Sequence, residues 1–178
     1  MKLILLVIVA ALIVGLVTGG SFHYFPSIPL GWWSLAIGGI VLQFLPLTGD
    51  AGFWALVVSF VLLLAFALLN LRAPGFILIF CGLLLNAIVI FANHGMPVAR
   101  EALIRSGQGS TLTDVRENGG SKHHLADDDT VLLVLGDSIV IPQPVGVAVS
   151  VGDLCVYLGV AWCFVASIHP RERGTARI

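Results

Sequence analysis

Apolar residues fall into long uncharged stretches separated by short polar breaks, with one extended polar interval late in the chain. Four runs come first: Leu3 to Val17, Trp32 to Leu47, Phe53 to Leu71 and Phe76 to Ala92. A fifth begins near Val145, is interrupted by Gly152 and Asp153, and continues from Leu154 to Ile168. The hydrocarbon layer of a membrane is about 30 Å thick and a helix rises about 1.5 Å per residue, so a span needs roughly 20 mostly apolar residues, fewer in a thinner bilayer. The pattern therefore predicts five transmembrane helices. The breaks carry helix-ending residues: Gly19, Gly20, Pro26 and Pro29, then Pro46, Gly49, Asp50 and Gly52, then Arg72, Pro74 and Gly75. Connections this short force successive helices to lie side by side and antiparallel, so residues 1–92 read as a four-helix transmembrane bundle. Trp32, Trp33, Trp54 and Tyr24 sit near run ends, as amphipathic rings do at the headgroup level.

Residues 93–150 form the sizeable extramembrane part. Its first half, through Gly107, Gly109, Gly119 and Gly120, is rich in Gly, Ser and Thr and reads as loose chain. Ala99 to Ser106 fits a short surface helix with Leu103 and Ile104 turned to the bundle or to lipid. Thr130 to Leu135 is a β-rich apolar run, Gly136 and Asp137 make a turn, Ser138 to Ile141 is apolar again, and Pro142 and Pro144 forbid a helix. That order predicts a hairpin or a segment lying on the bundle, placed over helix ends because backbone at membrane depth must be satisfied internally. The fifth helix then occupies 151–170, followed by a basic tail, 171–178. The fold class expected is an all-α membrane protein: five transmembrane helices with one partly irregular extramembrane cap between helices 4 and 5.

Composition agrees. Of 178 residues 58% are hydrophobic and 11% charged, with a mean hydropathy of +1.02. Nine Lys and Arg against ten Asp and Glu leave a net charge of −1, which provides no field for nucleic acid. Eleven of the charges lie between Arg100 and Asp137, so chemistry other than packing is to be sought in that loop and at Asp153. Lys2 ahead of an apolar core, with Thr18, Gly19 and Gly20 following, also suits a secretory signal; the start at Met1 favours a retained helix. Arg171, Arg173 and Arg177 cluster at a span end, which argues for a cytoplasmic C-terminus, with the N-terminus and the 93–150 loop outside.

Several residue groups invite chemical readings. TVLLVLGDSI, Thr130 to Ile139, resembles the nucleophile block of GDSL-type esterases, with Ser138 as nucleophile. That family closes with Asp-x-x-His, whereas His169 follows Val165, Ala166, Ser167 and Ile168, so no triad can be assembled. The alternative is a turn in which Asp137 caps backbone N–H groups. Lys122, His123, His124, Asp127, Asp128 and Asp129, with His94, hold potential metal ligands, but adjacent histidines diverge on strand or helix, and a solvated charged loop is the favoured reading. Asp153 admits two readings, the N-terminal cap of the last helix with Ser150 and Gly152, or a carboxylate inside the bundle carrying protons or a cation. Gln43 and Asn86 interrupt apolar spans and suit interhelical hydrogen bonds. Cys81, Cys155 and Cys163 lie in apolar runs without any Cys-x-x-Cys, and act as small hydrophobes. His23, His94 and His169 lie near membrane edges, where ligation of a pigment or haem is open but unsupported by a motif; no cofactor is assigned.

The order of LLNAIVIFANHGMPV at Leu84 to Val98, KHHL at Lys122 to Leu125, LGDSIVIP at Leu135 to Pro142 and SVGD at Ser150 to Asp153 resembles a family of uncharacterised small bacterial membrane proteins, a domain of unknown function. The resemblance covers nearly the whole chain. It implies five helices and basic loops after the first and third, which would place the long loop outside; here the first of those loops has no Lys or Arg, and Arg72 alone carries that support. No activity comes with it. The expectation is thus a multi-pass bacterial inner-membrane protein that is not an enzyme, an accessory or scaffold subunit whose partners are membrane lipid and other membrane protein subunits. Its candidate functional surface is Asn93, His94, Met96, Pro97, His123, His124, Asp137 and Asp153. A membrane-surface hydrolase or metal-dependent enzyme needs His94, His123, His124, Asp137 and Asp153 to converge. A small transporter or ion-binding protein needs Asp153, Gln43 and Asn86 to face one wet cavity.

Overall fold

Each apolar run becomes a helix whose ends follow the breaks. In the computed structural model, which describes residues 2–24, 30–107 and 123–170, the elements are α1 (Lys2–Val17), α2 (Trp33–Phe44), α3 (Gly49–Leu69), α4 (Phe76–Asn93), β1 (Met96–Val98), α5 (Arg100–Arg105), β2 (His123–Leu125), β3 (Ile139–Ile141), β4 (Val147–Val149) and α6 (Val151–Ser167). Short 3-10 turns occupy Phe22–Tyr24 and Leu133–Leu135. The protein is mostly helical, and two helices, α3 and α4, are long and apolar enough to cross a membrane. α1, α2 and α6 are apolar but shorter. Helix α3 starts earlier than its apolar run because Gly49 and Asp50 join its first turn, where a carboxylate faces the positive end of the helix dipole. Gly152 and Asp153 likewise fall inside the first turn of α6 and do not interrupt it.

Packing order differs from chain order. α2 lies on α3, α3 on α4, α4 on α6, and α6 on α1. Antiparallel neighbours were expected for the first four helices, and α2, α3 and α4 follow that rule. α1 instead finds its main partner in α6, so the last helix is wedged between the first and the fourth. Glycine permits this. A Cβ on Gly82 would meet the Gly152 carbonyl and Val156, and one on Gly159 would lie 2.6 Å from the Gly75 carbonyl. Two glycines seven residues apart on α6 thus oppose a matching pair at the start and middle of α4, and the two backbones pass at close range. At the far end Gly15 and Gly20 make room for the Ile168 side chain, and Ser21 N donates to Ile168 O at 2.7 Å.

Two apolar clusters fill the bundle. One, Leu56, Phe60, Ala87, Val89, Ile90 and Met96, lies towards the end that carries the cap. The other, Ala36, Phe66, Ala67 and Phe76, lies at the opposite end. Outside them, large apolar side chains face outward on every long helix: Leu5, Val9 and Ile13 on α1, Trp33, Ile37 and Ile40 on α2, Trp54 and Val61 on α3, Ile77 and Ile88 on α4, Leu158 and Trp162 on α6.

The cap departs from the all-α expectation. β1 pairs in parallel with β2, Met96 opposite His123 and Val98 opposite Leu125. β3 pairs antiparallel with β4, Ile139 opposite Val149 and Ile141 opposite Val147. The hairpin exists, but its turn is Pro142–Gly146 and not Gly136–Asp137, and Thr130–Leu135 ends in a 3-10 turn. Val98 bridges to Asp137 in parallel, which recruits the Gly-Asp step into a third, one-residue contact beside β1. Surface helix α5 lies where expected, with Ala102 and Leu103 buried; of the two side chains expected to face the bundle or lipid, Leu103 takes the bundle side and Ile104 is 56% exposed. The glycine-rich stretch 108–122 and the basic tail 171–178 lie outside the described residues.

Candidate functional site

Where α6 begins, Ser150 and Asp153 form a reciprocal capping box. Asp153 N donates to Ser150 Oγ at 2.9 Å, and Ser150 N donates to Asp153 Oδ2 at 3.3 Å. Asn86, projecting from α4, closes the arrangement: its Nδ2 donates to Asp153 Oδ1 at 2.8 Å, while Ser150 Oγ donates to Asn86 Oδ1 at 2.8 Å. Both readings of Asp153 therefore meet in one residue. It caps α6 and also takes a hydrogen bond from a neighbouring helix inside the bundle. Asn86, expected to link helices, does so.

Beside this network is a cavity of about 250 Å³. Its apolar side is Leu56, Phe60, Ile90 and Met96; its polar side is Gln43, Asn86, His123, Asp137 and Asp153. Six elements contribute, because α2 ends, α3 and α4 cross, β1 and β2 cover, and α6 begins at this one place. Half-exposed His123 stands at the rim, its side chain 52% accessible.

Asp137 is the anomalous group. The expected role, capping exposed N–H groups at a turn, is not what it does. Gly136 lies so close to β1 that a Cβ would be 2.6 Å from the Pro97 carbonyl. Asp137 N donates to Pro97 O at 3.0 Å and Ala99 N donates to Asp137 O at 3.2 Å, which draws the residue inward. Asp137 is 8% exposed, and its Oδ1 is buried without a hydrogen-bond partner among the described residues. Its other oxygen, Oδ2, is 3.7 Å from His123 Nε2, inside ion-pair range but too long for a hydrogen bond. Burial, helped by the Asp153 charge, pushes the Asp137 carboxyl up to about 7.

Of the eight candidates, Met96, His123, Asp137 and Asp153 converge on the cavity. The other four support it from outside. Asn93 Nδ2 donates to the Val89 and Val131 carbonyls and its Oδ1 accepts from Val131 N, each at 2.9 Å, which ties the 130s segment to the end of α4. His94 ends α4 in the left-handed conformation, φ 54°, and stacks on Phe53 with ring centroids 5.2 Å apart. Pro97 is fully buried in β1, and His124 is its partner in β2. Gln43 and Asn86, outside the eight but named with Asp153 for the transporter or ion-binding reading, line the same cavity as Asp153; their signal was amide side chains within apolar runs. The cluster of five that a hydrolase would need does not assemble, since His94 and His124 stay outside. Ser138 Oγ donates to Val134 O at 3.3 Å. Among the described residues no three His, Cys, Asp or Glu side chains gather as metal ligands would, and Cys81, Cys155 and Cys163 are free thiols.

The chain belongs to a family of unknown function (DUF5317), which matches residues 27–165. The matched part includes the cavity, the cap and all of α6 except its last residues. No curated protein and no solved structure matches the chain.

Proposed function

We propose that the protein is a five-helix, multi-pass protein of the bacterial inner membrane, and that it binds a small solute or ion in the capped cavity. Support for five spans comes from the outward apolar side chains on all of the long helices, which lipid would cover. α1 and α6, with 16 and 17 residues, reach about 25 Å at about 1.5 Å per residue, enough for a thin bilayer with their flanks. α2, with 12 residues, needs its flanking segments to complete a crossing. On this reading the cap and its charges lie outside, and the end bearing Arg72 and the C-terminal arginines faces the cytoplasm.

The observation that carries the binding reading is the convergence of Gln43, Asn86, His123, Asp137 and Asp153 on one cavity with an apolar wall. The accessory-subunit reading rested on a bundle with few buried polar groups. The polar cluster shifts the balance to binding, with membrane lipid as the surrounding partner and no further protein subunit required. Binding is favoured over catalysis because Ser138 Oγ donates to the Val134 carbonyl and, among the described residues, no hydrogen bond joins it to a histidine or carboxylate.

The test is a thermal-shift panel on the full chain in lipid nanodiscs, with small organic cations, organic anions, neutral compounds and simple salts. Saturable stabilisation by some member, lost in Gln43→Trp where an indole intrudes on the cavity wall, supports the reading. No stabilisation by any member rejects it.

A further inference from the structure

A buried carboxylate oxygen without a partner costs free energy that a folded protein rarely leaves uncompensated, and each such group calls for a physical reason. Asp137 Oδ1 is such an oxygen, on a residue 8% exposed that lines the cavity. A second carboxylate, Asp153, lines the same space. Its oxygens already accept from Asn86 and Ser150, and each keeps further acceptor capacity. The charged and titratable groups around Asp137 are His123 on β2 and Asp153 and Tyr157 on α6. His123 alone among them can carry positive charge, and it sits at the exposed rim. The cavity is thus a negative pocket with unfilled acceptors on one side and Leu56, Phe60, Ile90 and Met96 on the other.

Building on the binding role above, we infer that the cavity takes a small organic cation: a protonated amine with a compact hydrocarbon body, its ammonium received by Asp137 and Asp153 and its carbon skeleton lying on the apolar wall. The shape of the site separates this from other occupants. A volume of about 250 Å³ is roughly that of eight waters at about 30 Å³ each, far more than a dehydrated metal ion fills, and among the described residues no three His, Cys, Asp or Glu side chains gather closely enough to hold one. An anion meets the carboxylates. A neutral molecule leaves Asp137 Oδ1 without a charged donor. An ammonium offers three donors on one compact charge, which suits several acceptors around a single point.

Deprotonated Asp137 is the form that receives a cation. Because burial holds its carboxyl near 7, affinity rises with pH across that value, by about tenfold between pH 6 and pH 8 as the ionised fraction grows.

The deciding experiment is calorimetric titration of the full chain in phosphatidylcholine nanodiscs with cyclohexylammonium chloride, with cyclohexanol as the neutral analogue of nearly the same shape. Cyclohexylammonium is expected to bind at least tenfold tighter than cyclohexanol, with Asp137→Asn abolishing that preference and sodium or calcium chloride failing to displace the amine at matched ionic strength. Equal affinity for amine and alcohol overturns the inference on the wild-type protein alone, whatever the variant does. So does displacement by calcium, or a preference that survives in Asp137→Asn. Should the amine fail while an anion or a neutral compound of the wider panel binds in a Gln43-dependent way, the cavity is a binding site of another specificity; should nothing bind, the binding role falls with it.

Discussion

Each end of the bundle is tied by one buried asparagine, and the two are used differently. At the far end Asn70, at the C-terminus of α3, accepts from Gly31 N at 3.0 Å and donates to the Gly31 and Phe66 carbonyls at 3.1 and 2.8 Å. All its partners are backbone, and the segment before α2 is held against α3 as an extra strand-like contact would hold it. At the cap end Asn86 bonds only to side chains, Ser150 and Asp153, and stands beside a cavity with an unpartnered carboxylate oxygen. An amide that satisfies backbone closes a structure. An amide that orients a carboxylate beside a cavity prepares a site, and the position of unspent hydrogen-bonding capacity distinguishes the two ends.

The largest effect is expected where the cap-end network depends on backbone approach. In Gly152→Ala the new Cβ would run into the Asn86 side-chain amide, which can yield only by breaking its hydrogen bonds to Ser150 and Asp153, and would lie 2.6 Å from the Gly82 carbonyl, which cannot move without parting α4 from α6. A loss of about 3 kcal/mol or more, enough to prevent a folded product, is expected from overpacking at so tight a crossing. The check is the monodisperse fraction after detergent extraction, and an unchanged yield and unfolding temperature would show that the two helices are looser than described. Asn70→Ala should come next. It removes three hydrogen bonds and leaves the Gly31 backbone without its partners, for about 2–4 kcal/mol at roughly 1 kcal/mol per bond plus the desolvation of what remains. Unlike Gly152→Ala, it should leave ligand binding at the opposite end intact once the protein is folded, which binding at reduced temperature would reveal.

Asp137→Asn tests the unspent carboxylate itself. In the folded protein the carboxyl sits near 7 against an ordinary value of 3.8, so the native state favours the proton. A raised folded value means that stability is full below the unfolded value and declines as pH climbs from about 4 through about 7. The variant has no such proton to lose. It should match the wild type near pH 2, where Asp137 is protonated in both states, and exceed it at pH 8 by up to about 4 kcal/mol, for a carboxyl held about three pH units above its ordinary value at about 1.4 kcal/mol per unit, measured as the difference in chemical denaturation between the two pH values. A flat difference across that range would mean that Asp137 is wetter or better partnered than its burial indicates.

Much of this architecture was visible along the chain, and what was hidden has a common cause. The helices were legible because a run of apolar residues between Gly and Pro breaks leaves few alternatives, and the α6 start was legible because Ser150 and Asp153 have the spacing of a capping box. The wedging of α6 between α4 and α1 was not, since it depends on glycines on different helices that match only once the helices are side by side. Asp137 was misjudged for the same reason. Gly-Asp is a local turn signal, but here Gly136 is needed for approach to Pro97, 39 residues earlier in β1, and β pairing carries the carboxylate inward. The hairpin turn moved because Pro142 and Pro144, read as helix breakers, also lie within the turn that joins β3 to β4. Gln43 and Asn86 announced themselves as polar residues in apolar runs, while their meeting at one cavity required the topology.

The smallest effects give the finest test of the two ends, because they separate a partner's side chain from its backbone. Gly31 serves Asn70 through its N–H and carbonyl alone, and a Cβ built on it meets nothing within 4 Å. Gly31→Ala should therefore change stability by less than about 0.5 kcal/mol, the usual range for a substitution that touches no special feature. Ser150→Ala, equally small as a change of atoms, removes the hydroxyl that accepts from Asp153 N and donates to Asn86 Oδ1, and should cost about 1 kcal/mol, as loss of an N-cap does. It should also weaken cyclohexylammonium binding severalfold, since the Asn86 amide that holds Asp153 is then free to turn. If Gly31→Ala proves as costly as Ser150→Ala, the far end relies on side-chain fit after all. If Ser150→Ala costs stability but leaves binding untouched, the capping box is scaffolding alone, and the site narrows to Asp137 and the cavity wall.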